Sequence, residues 1–128
     1  MSYYYNKTIT GEFNEVIERV TEELKKEGFG VLTEIDFSGT MKKKLDKDVP
    51  NYRILGACNP GFAFKAYEAE NKIGTMLPCN VIVQDAGNGQ VEVAAVNPIA
   101  SMAGVGNESL ADIAGEVKDK LEKVVDSL

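Results

Sequence analysis

Apolar and polar positions follow two different periods along this chain, and the change of period predicts where helices and strands lie. Between residues 11 and 27 the apolar side chains recur every three or four positions, as they do along one side of an α-helix. These positions are Phe13, Val16, Ile17, Val20 and Leu24. Thr10 is a favourable residue to cap the start of this helix, and Gly28 is typical of a helix end.

Strands are predicted where apolar side chains alternate with polar ones or form short continuous runs. The predicted strands are residues 3–10, 29–37, 54–58, 77–84 and 91–95. The strand at 29–37 alternates and is predicted to be half-buried. The strand at 77–84 is apolar on both faces, which is typical of an interior strand. The turn-forming cluster from Asp85 to Gly89 predicts a hairpin between the last two strands.

Three further helical segments complete the pattern. A short surface helix is predicted at 38–48, ended by Pro50. Asn59 and Pro60 form a cap followed by a first-turn proline, which predicts a helix over 61–72 with Gly74 as its end. Asn97 and Pro98 repeat this device before a short apolar segment through Met102. The last predicted helix covers 108–127, with Ser109 and Asp112 as a cap-like pair.

The resulting order is β-α-β-(short α)-β-α-β-β-α, which predicts an α+β fold. In this fold the helices at 11–27, 60–72 and 108–127 cover one face of a single, mainly antiparallel sheet. The length of 128 residues fits one domain, 1–128, with a sizeable core.

Composition narrows the function classes. Fourteen basic and twenty acidic residues give a net charge of −6, which disfavours binding to nucleic acid or to an anionic membrane. The sequence holds no run of about 20 apolar residues and begins without a signal-peptide pattern. Two cysteines without a framework spacing suit a reducing, cytoplasmic setting. Since the chain has no histidine, a zinc site would have to recruit Glu34 or Asp36, and no metal or cofactor is predicted.

The two cysteines stand in similar surroundings, Cys58-Asn59-Pro60 and Pro78-Cys79-Asn80. Cys58 directly precedes a helix cap, where backbone N–H groups can lower a thiol pKa, so it is the candidate catalytic residue. The alternative is that Cys58 is a small apolar residue packed at a tight corner. Cys79 is predicted to be inert packing, and no structural disulfide is expected.

Residues 54–60 and 77–81 together resemble the signature of a prokaryotic family, domain of unknown function family 302, and residues 28–36 match its first-strand motif. The resemblance implies a small α+β fold that forms a homodimer, and it assigns no activity. The aromatic cluster Tyr3-Tyr4-Tyr5 is a candidate for the dimer interface, with packing on the chain's own sheet as the alternative.

A small anionic ligand is predicted at the Cys58-Asn59-Pro60 corner, because a helix N-terminus gathers N–H donors. Asn80, which would be a buried amide on an apolar strand, offers a second amide group, and Arg53 and Lys65 flank the corner. Glu34 and Asp36 would lie at its edge. The alternative is that the amides only bond the backbone and that the two carboxylates form a solvated strand face balanced by Arg53 or Lys65.

Three function classes therefore remain open. The chain is a small-ligand-binding protein, a structural or dimerisation domain without a ligand, or a thiol-dependent enzyme or redox protein that uses Cys58. The amides at the corner favour the first class. The sequence gives no basis for deciding whether the protein is an enzyme.

Overall fold

A computed structural model describes residues 2–128, which contain one five-stranded antiparallel sheet and five α-helices. The strands are β1 (Tyr4–Thr10), β2 (Gly30–Asp36), β3 (Tyr52–Cys58), β4 (Cys79–Gly87) and β5 (Gln90–Val96). The helices are α1 (Phe13–Lys26), α2 (Phe37–Leu45), α3 (Pro60–Ala69), α4 (Pro98–Met102) and α5 (Ala111–Asp126). The strand order is β1-β5-β4-β3-β2. This confirms the predicted α+β fold, with α4 as an additional short helix. The predicted single domain 1–128 includes Met1, which lies outside the described residues, and it stays a prediction.

The core lies between the sheet and helices α1 and α5. Both helices turn their apolar stripe inward, and strands β3, β4 and β5 turn alternate side chains toward them, so the two patterns meet in one cluster. Val20 and Leu24 of α1 and Val81 and Val83 of β4 are fully buried there, as is Val125 of α5. We call this side of the sheet the helix face.

The start of α1 differs from the prediction. Thr10 belongs to β1, and the cap is Glu12, whose Oε2 accepts a hydrogen bond of 2.9 Å from the Glu15 backbone N–H. The predicted end is confirmed: Gly28 has a φ of +85°, a conformation that favours glycine, and Phe29 N–H bonds back to the Leu24 carbonyl.

Four other boundaries differ from the prediction: α2 and α3 end earlier than the apolar pattern suggests, and β4 and α5 begin later. Helix α2 ends at Leu45, where Asp46 takes a left-handed conformation, before Pro50 is reached. Helix α3 ends at Ala69, and a separate 3-10 turn, Ile73–Met76, contains Gly74. Strand β4 begins at Cys79. Before α5, the capping side chain is that of Asn107, which accepts from Ser109 N–H.

The opposite side of the sheet, which we call the open face, is largely uncovered in residues 2–128. Four of its side chains are successive cross-strand neighbours and form an apolar row from β2 to β5. They are Ile35, Ile54, Ile82 and Ala94. β4 is the central strand, as predicted, but only its helix face is fully buried. β2, predicted to be half-buried, is an edge strand whose Leu32 and Ile35 are 69% and 51% exposed.

Candidate functional site

The Cys58 corner is a tight and apolar place. Cys58 ends β3, and both Cys58 and Cys79 are free thiols that line one small cavity beneath α3 and α5. Its volume is about 30 Å³, the space of about one water molecule, and nearly all of its surface is apolar. The small, apolar cavity at the corner therefore favours the alternative interpretation, in which Cys58 is a packed residue.

Cys79 is held in its neutral form. Burial raises the pKa of the Cys79 thiol to about 11, and the neighbouring Cys58 adds to this shift. A thiol that keeps its proton at neutral pH is a poor nucleophile. This supports the prediction that Cys79 is packing.

Asn59 occupies the predicted cap position of α3, with Pro60 in the first turn, but its side chain makes no capping hydrogen bond. Its Nδ2 instead donates to the Glu27 carbonyl at the end of α1, 3.3 Å away. Lys65 lies on the outer side of α3, with its Nζ 5.6 Å from the centre of the Phe62 ring. The Asn59 amide thus joins two helix ends.

Arg53, Glu34 and Asp36 form a separate cluster at the edge of the helix face. Arg53 Nη1 lies 2.7 Å from Glu34 Oε1, its Nε lies 3.8 Å from Asp36 Oδ1, and its guanidinium carbon lies 5.7 Å from the centre of the Phe13 ring. Asp36 also caps α2 by accepting from Gly39 N–H, and this bond, helped by Ser38 and Arg53, lowers its pKa. The two carboxylates share a face, as predicted, and Arg53 balances them.

Asn80 lies neither at the Cys58 corner nor in the Arg53 cluster. It faces Gly56 across the β3–β4 pair on the open face, and it is exposed. The prediction of a buried amide is therefore wrong, because the alternate side chains of β4 point to the uncovered side. Asn59 lines the small cavity at the Cys58 corner and Asn80 lines a concavity on the open face, so the structure does not bring these two amides together.

The open face contains a concavity of about 400 Å³ around Asn80. Its floor is Ile82 and Ala94, and Tyr52 and Tyr4 lie at its sides. Each ring has an aromatic neighbour: Tyr52 meets Phe37 edge-on at 5.1 Å, and Tyr4 meets Tyr3 edge-on at 5.0 Å. The adjacent Tyr5 points to the helix face, where its hydroxyl donates to Asp126 Oδ1 at 2.7 Å.

Glu92 is the charged side chain of this concavity. Both of its oxygens are fixed, since Asn6 Nδ2 donates to Oε2 at 2.7 Å and Gln84 Nε2 donates to Oε1 at 2.9 Å. No Lys or Arg in residues 2–128 forms an ion pair with it. Within residues 2–128 the carboxylate is thus held by neutral amides and not by a cation.

Sequence reasoning missed Tyr52, Gln84 and Glu92. The three are direct cross-strand neighbours on β3, β4 and β5. The available signal was the alternation on β4 and β5, which sets Gln84 and Glu92 on the side opposite the valines. Pairing these positions with Tyr52 requires the strand register, which the sequence alone does not supply.

Two other features are absent from residues 2–128. No helix there has both the length and the apolar character needed to cross a bilayer. No group of three or more Cys, Asp or Glu side chains in that range is arranged to hold a metal ion.

Comparison with known proteins agrees with the fold and the motifs. Among proteins with curated descriptions, none matches this chain. A solved structure described as "Crystal structure of uncharacterized conserved protein DUF302 from Bacillus stearothermophilus" is similar to it, with a TM-score of 0.91 and 28% identity over 98% of both chains. The family model "Domain of unknown function DUF302" matches residues 5–128. The chain therefore belongs to the DUF302 family.

Proposed function

We propose that this chain is a binding domain that takes a small organic molecule in the concavity of the open face. One observation carries the proposal: an uncovered sheet face holds a concavity of about 400 Å³ with tyrosine sides, an apolar floor and a few polar groups. Ligand sites of proteins are typically concave, mostly apolar and about 300–1,000 Å³ in volume, with a small number of fixed polar groups.

The polar groups of the concavity suit recognition of a ligand. Asn80 is exposed there, and its side chain makes no hydrogen bond to residues 2–128, so both its donor and its acceptor are available. Gln84 and Glu92 hold one another in place from neighbouring strands. Groups fixed before binding cost less conformational entropy when a ligand arrives.

The corner at Cys58 supports ligand binding less well. Its cavity of about 30 Å³ is too small for an organic ligand, and the Asn59 amide is already bonded to Glu27. Of the residues predicted to bind an anion, only Asn80 lines the open-face concavity. The charge in this concavity is the negative charge of Glu92, which repels anions.

The proposal can be tested by a thermal-shift screen with a library of neutral, cationic and anionic metabolites. We expect native protein to be stabilised by some members, and Ile82→Arg, which places a long side chain on the floor, to lose these shifts. The matched control is Gln90→Arg, which adds the same charge to an exposed strand position outside the concavity. Shifts that survive Ile82→Arg, or a library without any effect on native protein, would contradict the proposal.

Self-association is a second candidate, in line with the homodimer that the family resemblance implies. The observation in its favour is a pair of large apolar side chains exposed on the edge strand β2, outside the concavity: Leu32 and Ile35. Contiguous exposed apolar surface is typical of protein interfaces. Light scattering should show a dimer for native protein and a monomer for Ile35→Lys. A native monomer at micromolar concentration would exclude this candidate.

A further inference from the structure

We infer that the ligand of the open-face concavity is an organic cation, whose charged group is held by the Glu92 carboxylate in a concavity with Tyr4 and Tyr52 at its sides. This inference rests on the proposed function and names the chemical class of its ligand. It starts from Glu92, the one charged side chain among the described residues that lines the concavity.

The first step concerns the charge on Glu92. Its two bonds, from Asn6 and Gln84, come from neutral amides, so they fix the carboxylate without neutralising it. An ionised carboxylate has about four acceptor positions, so each oxygen can accept one further donor. Ammonium and guanidinium groups provide such donors and supply the missing positive charge.

The second step concerns the surroundings of that charge. Ala94, on the floor beside Glu92, is only 8% exposed, and Ile82 next to it is half-buried. Water is partly excluded over this apolar floor, so the attraction between a carboxylate and a cation is screened less than at an open surface. A charge that lacks an ion-pair partner among residues 2–128 is therefore best satisfied by a cationic ligand.

The third step concerns the tyrosines. The face of an aromatic ring carries negative charge density and attracts a cation that lies within about 6 Å of the ring centre. Tyr4 and Tyr52 line the same concavity as Glu92, and each is supported edge-on by a second ring. Rings and carboxylate therefore favour the same sign of charge. Neither would attract a phosphate or a carboxylate.

Three probes with the same ring and different head groups test the inference: tyramine, which is cationic; tyrosol, which is neutral; and 4-hydroxyphenylacetate, which is anionic. Affinities are measured by titration of isotope-labelled full-length protein, followed by NMR. We expect tyramine to bind about tenfold more tightly than either of the others. In Glu92→Gln this preference should vanish, while the affinity for tyrosol stays unchanged.

The control is Glu68→Gln, which removes one negative charge from the exposed side of α3 and should keep the preference. A second readout needs no variant: added sodium chloride should weaken binding of tyramine but not of tyrosol. Equal affinities for the three probes, or tighter binding of the anion, would overturn the inference while leaving the small-molecule proposal intact. Binding of none of the three would also overturn it, and the metabolite screen then decides the proposed function separately.

Discussion

The Nδ2 of Asn59 donates a hydrogen bond to the carbonyl oxygen of Glu27, 3.3 Å away. Glu27 is the C-cap residue that directly follows α1, and Asn59 is the N-cap residue that directly precedes α3. One side-chain amide therefore connects two helix ends that lie 32 positions apart in the chain. Gly28 allows this approach, because a Cβ at that position would lie only 3.1 Å from the same Nδ2.

Asn59→Ala should lower the free energy of unfolding by about 1 kcal/mol, the usual contribution of one partly buried hydrogen bond. The reason is loss of the bond to Glu27, since Asn59 makes no side-chain cap whose removal would add to the cost. Urea denaturation measures the difference. Asn71→Ala, in the exposed loop after α3, is the control and should be near neutral. Native-like stability of Asn59→Ala would show that the bond contributes nothing.

Gly56→Ala should be more damaging, at about 1–3 kcal/mol, because it overfills a packed position. A Cβ there would collide with Thr33 Oγ1 and would lie 2.7 Å from Pro78 Cγ. Thermal unfolding tests this, and adding Thr33→Ala should restore part of the loss. Gly30→Ala on the adjacent strand is the matched control, since its Cβ would meet nothing within 4 Å. Equal stability of the two alanine variants would rule out steric crowding at position 56.

Arg53 should stabilise the fold through its packing more than through its charge. Its partners Glu34 and Asp36 are about half exposed, and such ion pairs contribute about 0–1 kcal/mol. Its Nε is buried without a hydrogen bond within residues 2–128, and its guanidinium carbon lies 5.7 Å from the centre of the Phe13 ring. We therefore expect the free energy of unfolding of Arg53→Met to lie within about 0.5 kcal/mol of the native value. For Arg53→Ala it should be lower by about 1–2 kcal/mol. If both variants lose the same amount in urea, the ion pairs dominate.

The stability of the protein should fall between pH 9 and pH 11 because of Cys79. The unfolded thiol has an ordinary pKa of 9.0, whereas burial raises the folded value to about 11. In this interval the unfolded state releases a proton that the native state keeps, so rising pH favours unfolding. Cys79→Ala should lack this loss of stability between pH 9 and pH 11. If the free energies of unfolding of native protein and Cys79→Ala differ by an amount that does not change with pH, the assignment to Cys79 is contradicted.

The raised pKa of Cys79 should also slow its alkylation, because the thiolate is the reactive form. At neutral pH a small alkylating reagent should modify Cys58 first and Cys79 more slowly, as followed by mass spectrometry. This agrees with the expectation that Cys58 is the more reactive thiol. Modification of Cys79 at the same rate as Cys58 in the native state would show that the thiol is accessible.

Local patterns were sufficient to predict most of the fold. The one-sided stripe of α1 follows from the 3.6-residue period, and the hairpin between β4 and β5 follows from Asn88 and Gly89, both of which adopt positive φ angles. Boundaries were less predictable. The cap of α1 depends on whether Thr10 belongs to a strand. Because Thr10 pairs with Gln90 of β5, it belongs to β1, and Glu12 becomes the cap.

The candidate site was less accessible to sequence reasoning for a physical reason. Cys58, Asn59 and Asn80 stand in similar motifs, but similarity of motifs does not determine the face on which a side chain lies. The apolar run of Val81, Ile82 and Val83 predicts a buried Asn80. Only the position of the helices shows that one side of this run is open.

The most direct test of the central claim, that the open face is the binding surface, is to map the site on isotope-labelled native protein by NMR. The ligand should be a metabolite that gives a thermal shift, or tyramine. Binding should perturb signals of Asn80, Ile82, Glu92 and Ala94 on the open face and leave those of Cys58 and Phe62 unchanged. Perturbations centred on Cys58, Asn59 and Phe62, with an undisturbed open face, would contradict the account.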